Sequence, residues 1–368
     1  MRRIFLLHFS PIELYPPAVN LLRFIGEKGR GNKVMVSTSK MDNDQRAKSF
    51  RSDEANITVY RPGGKKNGPI KYAIYNIYSF ALLLRHRPSV VLYYETISAL
   101  PAIFYKRIFR STTLMAHYHE YVSPDEYKTG MKLVRWAHRL EQKNYNLFNW
   151  ISHTNADRLR LFIEDEKVGV ELKRKTHIFP NYPPRSWHSE LKYQDNAVVR
   201  MVYVGALSLE TTYLADIVKW VIGSSGKFTL DLYSNNYPES TRQFLSSLDS
   251  EFVQFKGSVE YDDLPRTLSN YHVGLVLYKG HIPNYIYNIP NKVFEYIAVG
   301  LAVWYPKQMT SCTILFEGDN LSNVMPLDFD KLSEVEYSVK PLTSSAKVRS
   351  FYFEDVSEEV VDFIEKHS

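Results

Sequence analysis

Short apolar runs alternate with helix-like segments twice along this chain, first over residues 3–179 and again from residue 199 onward. Runs rich in Val, Ile, Leu, Phe and Tyr, bounded by Gly, Pro or polar residues, are typical of buried strands. Strands separated by helices predict parallel sheets with right-handed crossovers. The sequence therefore predicts the α/β class, as two doubly wound halves joined by a hinge.

The predicted strands of the two halves are short, and one predicted helix, Tyr127–Phe148, is unusually long. The predicted strands are Arg3–Phe9, Lys33–Ser37, Ile57–Tyr60, Val90–Tyr94, Thr112–His117, Trp150–His153, His177–Phe179, Val199–Val204, Lys227–Tyr233, Phe252–Phe255, Val273–Leu277 and Ala302–Tyr305.

The length of 368 residues exceeds the usual size of a single core, so two domains are expected. Pro180–Arg185 and the polar stretch to Asn196 predict a linker. The first domain is then 1–185 and the second 196–349, and the amphipathic C-terminal helix (350–368) is a candidate to pack back on the first. Ligands of such sheets bind beyond the carboxyl ends of the strands, and two facing sheets would enclose a central cleft.

Charge is distributed unevenly, since residues 1–185 carry a net +15 and the remainder a net −9. This asymmetry predicts different partners for the two halves. The basic half could face nucleic acid, an anionic membrane or an anionic substrate. No nucleic-acid recognition motif is present, so nucleic acid is not expected. The segment Tyr105–Arg110 mixes aromatic and basic residues, which leads to the hypothesis of peripheral membrane attachment.

Cysteine content and hydropathy indicate the compartment. Cys312 is the only cysteine, which excludes an internal disulfide and a cysteine-based metal site. The apolar run after Arg3 is too short for a signal peptide, and Ala73–Leu84 is too short to span a bilayer. We expect a cytoplasmic protein, with peripheral attachment at the inner face of the membrane as a further hypothesis.

The segment Ile289–Val303 predicts a loop, a short helix, a glycine stop and a strand. Asn291 is the predicted N-cap, and Gly300 takes the left-handed position after the helix. Lys292 lies in the first turn, where the helix dipole disfavours a cation unless an anion binds at the same helix end. Glu295, one turn further in, could accept hydrogen bonds from ribose hydroxyls. The alternative is a solvated Lys and Glu on an ordinary capped helix.

These residues resemble the GT-B glycosyltransferases, specifically the retaining group called glycosyltransferase family 4. That family carries a proline, a lysine, a Glu-Tyr-x-Ala-x-Gly helix and a following strand in its second domain. The matching positions are Pro290, Lys292, Glu295, Tyr296, Ala298 and Gly300. Further matches in the second half are Met201–Gly205, Val253–Val259, Asp263–Pro265 and Tyr271–Leu277, and the more diffuse matches in the first half are Tyr15–Pro17 and His119–Glu120.

The resemblance implies a GT-B fold and transfer of a sugar from a nucleotide-diphosphate sugar to a glycan or lipid-linked acceptor hydroxyl, in cell-surface polysaccharide or glycolipid assembly. It implies no metal and no cofactor, because a lysine and helix dipoles neutralise the diphosphate. The implied donor-binding residues are Gly205, Asn291, Lys292, Glu295 and, by position, Tyr287. The implied catalytic residues are His119, Glu120 and Lys292.

Two departures from the family pattern leave alternatives open. Tyr287 stands where many members carry a first glutamate, and Ala206–Glu210 lacks their basic residue–glycine pair. A nucleotide-sugar epimerase of the same fold and a catalytically silent nucleotide-sugar-binding scaffold are therefore kept as alternatives.

Other polar residues give weaker predictions. His8 and Glu13 lie in the first strand–helix loop, where either could be a general base on the acceptor side if the reaction inverts the stereochemistry. Asp42-Asn43-Asp44 has the spacing of metal-dependent transferases, but its polar surroundings predict a solvated turn. Gly26–Gly31 ends a helix rather than beginning one, which argues against a dinucleotide fingerprint.

Overall fold

The computed structural model describes residues 2–28, 32–40, 56–62, 68–189, 198–317, 323–334 and 351–367. The chain divides into two compact units. Unit 1 comprises Met1–Asn181 and Phe353–Ser368, and unit 2 comprises Tyr182–Tyr352. Asp42-Asn43-Asp44 and Gly29–Gly31 lie outside the described residues, as does much of the predicted linker.

The described residues of unit 1 contain a parallel seven-stranded sheet in the order β3-β2-β1-β4-β5-β6-β7. The strands are β1 (Arg3–His8), β2 (Lys33–Thr38), β3 (Ile57–Tyr60), β4 (Val90–Tyr94), β5 (Thr113–Tyr118), β6 (Trp150–His153) and β7 (Thr176–Ile178). The helices are α1 (Pro16–Lys28), α2 (Pro69–His86), α3 (Ala99–Ile108), α4 (Pro124–Thr129), α5 (Lys132–Gln142), α6 (Ala156–Asp165), α7 (Val170–Lys173) and the C-terminal α14 (Phe353–His367). Central strands such as β4 are buried along their whole length because helices cover both sheet faces.

The described residues of unit 2 contain a parallel six-stranded sheet in the order β10-β9-β8-β11-β12-β13. The strands are β8 (Val199–Val204), β9 (Phe228–Tyr233), β10 (Val253–Gly257), β11 (Val273–Leu275), β12 (Ala302–Pro306) and β13 (Val324–Leu327). The helices are α8 (Leu214–Gly223), α9 (Glu239–Ser246), α10 (Leu264–Leu268), α11 (Pro283–Ile286), α12 (Asn291–Ala298) and α13 (Thr310–Phe316). Apolar clusters on opposite sides of the sheet form its core.

Helix α14 follows unit 2 in the sequence but packs in unit 1. Phe353 meets Phe24 of α1 edge to face at 6.0 Å between ring centroids, and Phe363 lies 4.9 Å from Trp150 of β6. An apolar side of α14 therefore completes the core of unit 1.

The twelve predicted strands are confirmed within about two residues at their ends. The single long helix predicted for Tyr127–Phe148 is wrong, because α4 ends before Gly130 and α5 begins at Lys132. Gly130 is extended, and a Cβ there would lie 2.9 Å from the Glu126 carbonyl oxygen. Ser123 and Glu126 form a capping box that starts α4 only two turns earlier. Helix α13 and strand β13 were not predicted.

Within the described residues, the helices all fall short of the length and apolar content that a bilayer span requires.

Candidate functional site

Helix α12 begins directly after a proline. Pro290 is the N-cap and has no side-chain hydrogen bond to the helix, and Asn291 is the first helical residue. The prediction that Asn291 caps the helix is therefore wrong. Because proline offers no side-chain acceptor, the N–H groups of Asn291 and Lys292 are left for another acceptor, such as a ligand oxygen, while the Val293 N–H bonds the Pro290 carbonyl.

Lys292 turns its ammonium group into unit 2, where the residue is only 7% exposed. Its Nζ donates to the hydroxyls of Tyr203 at 3.3 Å and Tyr278 at 3.5 Å. The same atom lies 4.4 Å and 4.8 Å from the centres of those two rings. No carboxylate of the described residues forms an ion pair with Lys292. The direct partners of this buried ammonium are neutral hydroxyls and ring faces rather than the ion-paired carboxylate that such groups normally have, and Glu295 acts on it only at longer range.

Gly205 provides the space that the ammonium occupies. It follows the carboxyl end of β8 with φ 146°, and a Cβ at this position would collide with Lys292 Nζ. Tyr203 donates its hydroxyl to the Ala206 carbonyl at 2.5 Å, which holds the ring beside the ammonium. The lysine therefore lies at the carboxyl end of a central strand, where ligands of parallel sheets bind.

Tyr296 fixes the position of α12 against the sheet. Its hydroxyl accepts a hydrogen bond from the Val204 N–H at 3.1 Å, and its ring covers Gly274 so closely that a Cβ there would collide with it. The turn after β8 and the first turn of α12 are thus held together.

The two ionisable groups of α12 have perturbed pKa values. Burial opposes the charge of Lys292, but the interactions with Tyr203 and Tyr278 outweigh it and leave its pKa above the usual value. Desolvation raises the pKa of Glu295 to about 7, and Lys292 only partly offsets this effect. The Lys292 ammonium is therefore charged at neutral pH, whereas the Glu295 carboxyl titrates close to neutral pH. Tyr287, the remaining donor-side candidate, is half-buried directly after α11.

In unit 1 the ends of β1, β4 and β5 bring several predicted residues together. His119 directly follows β5, and its ring lies 4.9 Å from Tyr94 at the end of β4 and 5.6 Å from Tyr15. His8, at the end of β1, lies 5.5 Å from Tyr94. Burial lowers the pKa of His8 to about 4, and it lowers that of His119 as well. Both imidazoles are therefore neutral at pH 7.

The structure separates His8 from Glu13 as candidate bases. His8 Nδ1 lies 2.8 Å from the Ser10 carbonyl oxygen, so it carries the proton, and Nε2 has no partner among the described residues. Such a nitrogen can accept a proton or a hydrogen bond from a hydroxyl. Glu13 instead forms an ion pair with Arg61. Of the two, only the His8 nitrogen is presented without a protein partner.

Glu95 is the residue that sequence reasoning missed. It follows β4 with φ 61°, a left-handed conformation that is costly for a residue with a side chain. Its carboxyl accepts the backbone N–H of His119 at 2.6 Å. Desolvation and the nearby charge of Glu120 raise its pKa to about 8. The available signal was its position directly after a buried strand, which is also where His119 lies after β5.

Glu120 is exposed and Arg158 is buried around the same loop. The guanidinium of Arg158 donates to the His119 carbonyl, and the carboxyl of Glu95 accepts a hydrogen bond from the His119 backbone N–H. His119 is therefore held at both backbone groups, which fixes its ring against Tyr94.

Comparison with solved structures shows which fold this is. The chain resembles sucrose-phosphate synthase of Thermosynechococcus elongatus over 100% of this chain and 99% of that chain, with 12% identity and a TM-score of 0.65. A glycosyltransferase of Rickettsia africae matches over 100% and 98%, with 7% identity and a TM-score of 0.63. The UDP-GlcNAc 2-epimerase of Methanocaldococcus jannaschii matches over 100% of both chains, with 10% identity and a TM-score of 0.57.

The fold is GT-B. The predicted class, two Rossmann-like parallel α/β domains, is confirmed. Its neighbours include glycosyltransferases and UDP-GlcNAc 2-epimerases, which are enzymes of nucleotide sugars. No protein-family profile matches the sequence, and no curated protein matches it.

Proposed function

We propose that this protein is a glycosyltransferase that moves a sugar from a nucleotide-diphosphate sugar to an acceptor hydroxyl. The observation that carries the proposal is the buried Lys292 ammonium, which contacts two tyrosines but forms no ion pair with a carboxylate of the described residues. A diphosphate is the ligand that would complete this site, because it supplies the missing charge and can also accept the free N–H groups of α12.

The residues of unit 2 have distinct roles in this proposal. Lys292 and the first turn of α12 bind the diphosphate and stabilise it as the leaving group, without a metal. Glu295 binds the ribose hydroxyls as a carboxylate, and Gly205 and Tyr287 line the donor. The sequence likeness to glycosyltransferase family 4 supports this assignment and a retaining reaction.

On unit 1, His119 contacts the donor sugar and Glu120 orients it, while a glycan or lipid-linked acceptor binds near His8. We place the reaction in the cytoplasm, in the assembly of cell-surface polysaccharide or glycolipid. Glu13 is less suited than His8 to contact the acceptor because Arg61 already binds its carboxylate.

A nucleotide-sugar epimerase is retained as a second candidate because this chain and an epimerase structure match over the whole length of each. An epimerase interconverts free sugar nucleotides without an acceptor, whereas a transferase releases the nucleoside diphosphate. A scaffold subunit would bind the nucleotide sugar and turn nothing over.

Replacement of Lys292 by methionine tests the proposal. The variant Lys292→Met removes a buried cation while filling its space, so we expect an unchanged or raised melting temperature. The same change removes a charge-assisted contact with the diphosphate, so we expect donor affinity to fall roughly tenfold to a hundredfold. Thermal shift with a panel of nucleotide sugars, followed by titration calorimetry with the best one, measures both effects.

The matched control is Lys227→Met, an exposed lysine that precedes β9 at the opposite, amino end of the sheet. This control should leave both the melting temperature and donor affinity unchanged. Unaltered donor affinity in Lys292→Met, at wild-type stability, would show that the lysine is structural and would remove the main support for the proposal.

A further inference from the structure

Helix α2 is apolar on the side that faces solvent. Its inward side is buried through Tyr72, Tyr75, Leu82 and Leu83. Its outward side exposes another set of large apolar side chains, of which Ile77 is 71% exposed. That set is Ile70, Ile74, Ile77, Tyr78 and Leu84. Ile70, Ile74 and Ile77 are spaced four and three residues apart and Leu84 follows seven residues later, so these side chains lie in one row along the helix, with Tyr78 beside it.

This row differs from the solvent side of an ordinary surface helix. From Tyr72 to Leu84 the helix contains no charged residue. By contrast, the outward side of α14 carries exposed acids, including Asp355, Glu358, Glu359 and Asp362. A contiguous exposed apolar row is typical of an interaction surface.

Helix α3 extends the apolar surface. It packs against α2, and its residues Phe104 and Ile108 are exposed, the latter by 59%. At the carboxyl ends of the two helices, the Arg87 guanidinium lies 6.0 Å from the centre of the Phe109 ring. The name "α2–α3 face" is used below for the α2 row together with Phe104 and Ile108.

A basic pocket adjoins the carboxyl end of α3. It has a volume of about 650 Å³, and the cations that line it are Lys106, Arg107, Arg110, Lys143 and Lys175. No acidic residue lines it, and none of these cations forms an ion pair with a carboxylate in the described part of the chain. The Lys106 ammonium is held in place by the carbonyls of Thr112 at 2.6 Å and Arg110 at 2.8 Å.

We propose that the α2–α3 face docks on an anionic lipid leaflet, with lipid phosphates in the basic pocket. An apolar helix row beside a cluster of Lys and Arg is the pattern that binds the membrane interface, since apolar side chains enter the acyl boundary while cations contact headgroups. A second copy of this chain fits less well, because the like charges of two such pockets would repel each other.

Co-sedimentation of the full chain with vesicles tests the proposal without any nucleotide sugar, so its result is independent of the proposed activity. The probes are vesicles of phosphatidylcholine alone and vesicles that also contain phosphatidylglycerol. We expect binding to the anionic vesicles only, weakened by added salt. The double variants Ile74→Gln/Ile77→Gln and Arg110→Gln/Lys143→Gln should each lower vesicle affinity roughly tenfold or more.

Matched controls lie on unit 2. Ile222→Gln/Ile314→Gln and Lys219→Gln/Lys227→Gln alter residues of the same types that are also exposed. Both controls should bind vesicles like the wild type, and thermal melts should show all four variants folded.

Three results would overturn the proposal. The first is vesicle binding that does not depend on anionic lipid or on either test pair. The second is a dimer, seen by light scattering, that Ile74→Gln/Ile77→Gln converts to monomer, which would make the face a self-association surface. The third is stabilisation by inorganic phosphate, lost in Arg110→Gln/Lys143→Gln, with no vesicle binding. That would make the pocket a site for free phosphate.

Discussion

At the residue scale, two buried ionisable side chains, Lys292 and Glu95, have unusual surroundings. Lys292 is charged without a described counter-ion, and Glu95 holds its carboxyl in a strained backbone conformation beside His119. Both arrangements cost stability, because burying a charge and adopting a positive φ are each unfavourable. Residues retained at such a cost are candidates for function.

Glu95 yields a prediction about pH. Its pKa in the folded protein, about 8, lies above the ordinary carboxyl value of 4.5. The folded state therefore binds this proton more tightly than the unfolded chain does. The contribution of Glu95 to stability is fully present below pH 4.5 and is lost as the pH rises to about 8. Glu95→Gln cannot ionise and should escape this loss.

The measurement compares melting temperatures of Glu95→Gln and the wild type from pH 5 to pH 9. We expect the melting temperature of Glu95→Gln to rise relative to that of the wild type as the pH increases, by roughly 2–4 °C for each kcal/mol of stability that the wild type loses. Taking the difference removes the shared titration of Glu141 and Glu295, whose pKa values are also raised by burial. Glu171→Gln, on an exposed residue of α7, should give a flat difference; a flat difference for Glu95→Gln would contradict the prediction.

At the scale of elements, the turn after β8 and the first turn of α12 depend on each other. Gly205 has no side chain, Lys292 fills the resulting space, and Tyr296 bonds the last residue of β8. A change in either turn should therefore reach the other one.

Gly205→Ala tests this dependence. The added methyl group collides with Lys292 Nζ, and φ 146° strains any residue with a Cβ, so we expect a loss of about 1–3 kcal/mol in the free energy of unfolding. Donor affinity should fall as well because the ammonium is displaced. Urea denaturation measures the stability. Gly223→Ala is the control, since it ends α8 with open space around it and should be neutral or slightly stabilising.

How well each element could be predicted depended on how local its determinants are. Strands such as β4, β6 and β8 were predicted to the residue because a short apolar run with polar ends suffices to define them. The predicted helix over Tyr127–Phe148 failed because its apolar periodicity continues past Gly130, where the backbone becomes extended and ends α4. The N-cap of α12 was predicted at Asn291, one residue after its actual position at Pro290. Asparagine is the better capping residue, but the helix begins one residue earlier than its position indicates.

At the scale of the whole molecule, the last helix belongs to the first unit. Unit 1 is closed only when α14 covers α1 and β6, although some 170 residues of unit 2 intervene in the sequence. The stability of unit 1 should therefore depend on side chains near the end of the chain.

Ile364→Ala measures this dependence. Ile364 is 1% exposed on α14, so its truncation should cost about 2–4 kcal/mol. Thermal or urea unfolding measures this loss. Limited proteolysis during the urea titration should show unit 1 of Ile364→Ala cleaved at a lower urea concentration than unit 1 of the wild type. Asp362→Asn, an exposed change on the same helix, should have no effect. Equal stability of the two variants would show that α14 adds little to the core.

The sequence alone determined the parallel α/β class, the two series of strands and the position of the helix that starts at Asn291, because each follows from periodicity and punctuation over a few residues. It did not show that Tyr203 and Tyr278 surround Lys292, that Glu95 is buried against His119, or that α2 turns an apolar row to solvent. Those features depend on contacts between residues up to 89 positions apart and on which surfaces lose water, and only packing decides both.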